Sequence, residues 1–130
     1  MTIILSPEGA PLLRFENRLR KNKDFKAVYG KKNSIAAGVV VLYIMSNEKG
    51  VPRVGFSVSK KLGNAVARNR CRRLLREAVR GHMDSIRPGT DYVFVGRGSL
   101  AKADMGRVER DVLHVLKGKG CYIDNKNGSM

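Results

Sequence analysis

Residues 53–86 read RVGFSVSKKLGNAVARNRCRRLLREAVRGHMDSI, and the change of period inside this stretch decides the architecture. From Arg53 to Ser59 the residues alternate. Val54, Phe56 and Val58 fall on one face and Gly55, Ser57 and Ser59 on the other, the pattern of a strand with one covered face. From Ala65 to Ile86 the apolar positions recur at helical spacing instead. At about 100° per residue, Ala67, Cys71, Leu74, Leu75, Ala78 and His82 share one arc about 100° wide, a stripe able to pack on a sheet. Asn69, Arg73, Arg76 and Arg80 take the opposite side with Arg72 beside them, while Arg68 and Arg70 flank the stripe.

Elements on either side complete the pattern. Residues 22–29, NKDFKAVY, form a short helix with Asn22 as its cap and Phe25, Val28 and Tyr29 at helical spacing; Gly30 ends it. The run from Ile35 to Met45 is β-like and rich in Val, and Gly38 divides it into a short and a longer strand. SNEKGVP is a turn by composition. Tyr92 to Val95 gives a fourth strand, and Lys102 to Leu116 a last helix with Met105, Val108, Val112 and Val115 near helical spacing. The order α-β-β-β-α-β-α predicts an α+β two-layer sandwich of helices on a small mixed sheet. Residues 1–13, with Pro7, Gly9 and Pro11, read as a flexible arm. Residues 14–120 read as one domain and residues 121–130 as a flexible tail.

Charge narrows the function. The 130-residue chain carries a formal net charge of +15. Residues 14–32 contribute +6 and residues 60–80 contribute +7, so the remainder is nearly neutral. Two basic blocks on an otherwise balanced chain point to a polyanionic partner. A merely solvated helix face mixes Glu with Lys. This helix has six arginines, no lysine, and no acid before Glu77. Arginine grips phosphate with a planar fork and stacks on bases. Lys60 and Lys61 precede the Gly63-Asn64 turn, where the helix N-terminus offers free N–H groups to phosphate. The glycine and lysine order is not that of a nucleotide-binding P-loop.

Other classes find little support. His82 and His114 are far apart, no His/Cys cluster has metal-ligand spacing, and no run reaches the roughly 18 apolar residues of a membrane span. Cys71 and Cys121 read as free thiols of a cytoplasmic protein. The eleven acids are scattered rather than grouped around an ion, so no catalytic or metal-ligating residue is assigned. A helix-turn-helix DNA binder needs a second helix before residue 65, where the pattern is a strand. A ribosomal or RNA-chaperone protein fits the composition and the basic helix.

SVSKK, LGNAV and ARNRCRRLLRE, with RLRKNKDFKAVY upstream and RVGFSVSK before the helix, closely resemble the signature of the bacterial ribonuclease P protein component. The resemblance spans roughly residues 17–117. It implies a fold similar to the ribosomal protein S5 domain 2-like fold, and a subunit that assists a catalytic RNA in removing the 5′ leader of precursor tRNA. It implies that Lys60, Lys61, Arg68, Asn69, Arg70, Arg72, Arg73 and Arg76 bind the ribonuclease P RNA. Phe25, Tyr29, Val41 and Tyr43 would receive the single-stranded leader on a separate surface. Mg²⁺ would belong to the holoenzyme, held mainly by RNA phosphates. Neither a membrane nor a small-molecule ligand is implied.

Overall fold

In the computed structural model, residues 18, 19 and 21–123 are described; the expected arm at 1–13 lies outside them. Helix α1 (Asn22–Gly30) is followed by strands β1 (Ser34–Ala37), β2 (Val40–Ser46) and β3 (Arg53–Ser57). Helix α2 (Ala65–Arg80), strand β4 (Thr90–Gly96) and helix α3 (Met105–Gly118) complete the chain. Short 3-10 turns at Lys60–Leu62 and Gly98–Lys102 precede α2 and α3. The sheet order is β1-β2-β4-β3. β2 is antiparallel to β1 and β4, and β3 is parallel to β4, so the mixed α+β sheet expected from the sequence forms.

Alternation decides which side chains meet. Val40, Leu42 and Ile44 of β2, Val54 of β3, and Tyr92 and Phe94 of β4 point to one face and are buried there. They pack against Cys71, Leu75, Ala78 and Val79 of α2 and Val108, Val112, Val115 and Leu116 of α3. The central strand β4 is buried along nearly its whole length, and the Tyr92 hydroxyl is satisfied by donating to Arg87 O at 2.7 Å. The opposite face carries a smaller cluster in which Val93 meets Val28 of α1 and Leu19. Helix α1 therefore lies across the far side of the sheet, a placement that the order of elements left open.

Local chemistry sets the boundaries. Asn64 Oδ1 accepts the Ala67 N–H at 2.9 Å and starts α2; Asp104 Oδ1 does the same for α3 through Arg107 N. The expected cap at Asn22 does not form, because Lys21 holds the cap position without a side-chain bond. Gly38 does divide the β-like run, and the reason is distant in sequence. Its φ is +50, and a Cβ there would lie 2.1 Å from Asp111 Oδ2, which accepts the Val39 N–H at 3.1 Å.

Three further expectations are corrected. Helix α2 ends at Arg80, not Ile86; a 3-10 turn at Met83–Ser85 follows. Arg76 and Arg80, placed by the wheel on the open side, are half-buried, and Arg80 pairs with Glu77. The start of the expected tail is docked: Cys121 is fully buried, its carbonyl accepts the Arg87 N–H at 2.8 Å, and Tyr122 bridges Ile86.

Candidate nucleic-acid interface

The sheet register builds the site. Gly55 faces Val93, which faces Tyr43, and one step on Ser57 faces Val95, which faces Val41. These two rows share the face that α1 crosses. Gly55 has no side chain to hold α1 away: a Cβ there would lie 2.5 Å from Phe25 Cζ and 3.0 Å from Leu19 Cβ. Phe25 therefore lies down on β3, and Tyr29, one turn later, leans over the sheet. Its ring meets Tyr43 edge-on at 5.0 Å and lies 6.4 Å from Phe25.

A groove of about 450 Å³ opens between α1 and the β3 edge. Asn22, Phe25, Lys26 and Tyr29 form one wall; Phe56, Ser57, Val58 and Arg72 form the other. All four aromatic and aliphatic residues assigned to the leader, Phe25, Tyr29, Val41 and Tyr43, are half-buried on this sheet face. Only the first two line the groove. Val41 and Tyr43 form a shelf beside it, joined to it by the Tyr29–Tyr43 contact. Every ring is thus partly open while it packs against the cluster of Leu19, Val28 and Val93.

The basic helix borders the same groove. Asn69, Arg70 and Arg73 are exposed, as are Lys60 and Lys61 before it; Arg68, Arg72 and Arg76 are half-buried. Arg68 Nε is shielded from water and has no hydrogen-bond partner among the described residues. Arg72 donates to Asn69 Oδ1 and also lines the groove. Arg70 is partly committed inside the protein, donating to Ala101 O at 3.3 Å and Ala103 O at 3.2 Å. Burial holds the Arg76 guanidinium below its ordinary pKa, and Arg18 beside it adds repulsion. The two surfaces expected to be separate therefore adjoin at Arg72. Lys26, Ser57 and Arg72 were not assigned to the groove from sequence; Lys26 follows Phe25 on α1, and the seating of Phe25 on Gly55 brings α1 beside the end of β3.

A buried ion pair holds the groove's foundation. Arg53 Nε and one terminal nitrogen reach the fully buried Asp91 at 2.8 and 2.7 Å, and Asn47 Nδ2 reaches it at 2.6 Å. The bond to Asp91 raises the Arg53 pKa. Arg53 also lies 4.0 Å from Asp24, the residue before Phe25, so the first turn of α1 is tied to the start of β3.

Among the described residues no three His, Cys, Asp or Glu side chains gather as a metal site, and no helix is long and apolar enough to cross a membrane. The Ribonuclease P family model matches residues 13–119. The ribonuclease P protein component of Alkaliphilus oremlandii is 44% identical over 101 residues, covering 78% of this chain and 89% of the relative. That of Caldanaerobacter subterraneus subsp. tengcongensis is 41% identical over 109 residues, covering 84% and 94%. The solved RNase P protein of Staphylococcus aureus superposes with a TM-score of 0.75 at 36% identity, over 82% of this chain and 97% of that one. The Thermotoga maritima RNase P protein gives 0.71 at 30% identity, over 78% and 96%. Matched over residues 13–119, a range that contains the β3-α2-β4 frame, the arginine helix and the groove, the chain belongs to the ribonuclease P protein family, the protein components of a ribonucleoprotein endoribonuclease.

Proposed function

We propose that this chain binds the ribonuclease P RNA through the amino-terminal half of α2 and the Lys60-Lys61 turn, and receives the 5′ leader of precursor tRNA in the groove under α1. The observation that carries this is the meeting of both features at Arg72: arginines without carboxylate partners among the described residues run beside half-open aromatic rings. A stacked base gains about 1–3 kcal/mol with little regard to sequence, which suits leaders of varied sequence. The flanking guanidinium groups supply the phosphate grip that positions the strand.

The chemistry of cleavage belongs to the RNA. The chain's own carboxylates do not fit a metal site, because each described one near the interface is already engaged. Asp91 is held by Arg53, Asp111 by Val39 N, and Glu77 by Arg80. Mg²⁺ is therefore assigned to RNA phosphates, and the protein acts by raising affinity for the precursor and by lowering repulsion between RNA strands with its net charge of +15. The complex would work in the cytoplasm.

Reconstitution tests this. The full chain is added to a bacterial ribonuclease P RNA at low Mg²⁺, and leader removal is followed. Stimulation over RNA alone is the expected result. No stimulation overturns the proposal and favours a non-catalytic ribosomal or RNA-chaperone role.

A further inference from the structure

β3 and β4 are parallel neighbours, with Ser57 opposite Val95, so their carboxyl ends leave the sheet side by side. Each continues through a 3-10 turn into a helix, Lys60–Leu62 into α2 and Gly98–Lys102 into α3. The two corners are packed on one another. Leu62 and Leu100 are both buried, and a Cβ on Gly96 would lie 2.6 Å from Leu100 Cδ2 and 3.5 Å from Leu62 Cδ2. Arg70 locks them further by reaching from α2 to the carbonyls of Ala101 and Ala103.

This packing sets Arg97 and Lys102, which bracket the second turn, on the same end of the sheet as Lys60 and Lys61. All four are exposed. None forms a side-chain hydrogen bond or ion pair with a described residue. The nearest acid in sequence, Asp104, is turned to the first turn of α3, where Oδ1 accepts Arg107 N at 2.9 Å. Four unpaired cations held together by a rigid apolar joint repel one another in the free protein, and an anionic lattice of phosphates relieves that repulsion.

We infer that the two strand-to-helix corners form one phosphate-binding platform for the catalytic RNA, in which Arg97 and Lys102 act alongside Lys60 and Lys61. The inference rests on the reading of this chain as a binder of ribonuclease P RNA. Arg97 and Lys102 lie in the nearly neutral part of the sequence and enter the interface only through the fold. The platform continues the arginine face of α2 around the end of the sheet, and neither Arg97 nor Lys102 lines the leader groove.

The test is the salt dependence of binding to ribonuclease P RNA, measured for the full chain, for K60A/K61A and for R97A/K102A. Each phosphate that the protein no longer neutralises flattens the slope of log affinity against log salt by about 0.7–0.9. Both double variants are expected to flatten it, and R97A/K102A should leave the preference for leader-bearing over mature tRNA unchanged. R97Q/K102Q, with circular-dichroism melts of both pairs, separates lost charge from lost fold. A slope for folded R97A/K102A equal to that of the unaltered chain, with K60A/K61A flattened, overturns the platform and leaves the proposed function standing. Absence of binding by the unaltered chain overturns both.

Discussion

Gly55→Ala is the smallest change that reaches from the sheet to the groove. The added Cβ would lie 2.5 Å from Phe25 Cζ, 2.8 Å from Phe25 Cε1 and 3.0 Å from Leu19 Cβ. Carbon atoms pack at about 3.5–4.0 Å, so the ring must retreat by about 1 Å, and Leu19 by about half as much. Leu19 cannot move freely, because its N–H donates to Val54 O at 2.9 Å. The ring can tilt only by loosening the cluster of Leu19, Val28 and Val93. Overpacking of this kind costs about 1–3 kcal/mol, a drop in Tm of about 4–12 °C for a domain of this size. Urea and thermal unfolding followed by circular dichroism read that loss. Affinity of the reconstituted complex for leader-bearing and for mature tRNA reads the groove, and the preference for the leader should shrink. A variant within about 0.5 kcal/mol of the parent, with its preference intact, would show that Phe25 is not seated on Gly55.

Replacing Arg53 with Met leaves the Asp91 carboxylate buried with Asn47 alone, and should destabilise the fold by about 3–5 kcal/mol in urea unfolding; a loss below about 1 kcal/mol contradicts the pairing. Arg73→Ala should flatten the salt dependence of RNA binding by about 0.7–0.9 per phosphate released, and an unchanged slope would place this side chain in solvent. Tyr43→Ala should weaken binding of leader-bearing tRNA more than of mature tRNA; equal losses would mean that the shelf is ordinary packing. Burial raises the Cys71 thiol above its ordinary 9.0. The unfolded chain therefore loses that proton first, and the stability tied to it is full below about pH 8 and declines as pH rises through the folded thiol's pKa. Cys71→Ala should show a shallower decline above about pH 8 in urea unfolding, and identical slopes would remove the thiol from the explanation.

The helix α2 was legible because its evidence is local. One residue type after another repeats the 3.6 period, and Asn64 supplies the cap at the place where the strand pattern stops. The same wheel misjudged Arg76 and Arg80, since it knows the helix's own axis and nothing of its neighbours; Arg18 lies beside Arg76, and Glu77 takes Arg80. Val79, left off the apolar arc, is fully buried against the sheet and α3 for the same reason. Phe25, Tyr29, Val41 and Tyr43 were assigned from a family resemblance; the register places Val41 and Tyr43 on the face that α1 crosses with Phe25 and Tyr29. That resemblance could not show that Arg72 reaches their groove, because the contact depends on β3 being an edge strand. The docked Cys121 was equally hidden. Its burial follows from a turn at Gly120, with φ +68, and from Arg87, which is 34 positions away in the chain.

The central claim is that one small domain holds two RNAs on adjoining surfaces, and photocrosslinking tests it most directly. A crosslinker is placed at Arg73 in one preparation and at Tyr43 in another, each assembled with ribonuclease P RNA and leader-bearing precursor tRNA. The account predicts that position 73 labels the catalytic RNA and position 43 labels the leader. Labelling of the same RNA from both positions, or no label on the leader from position 43, contradicts it.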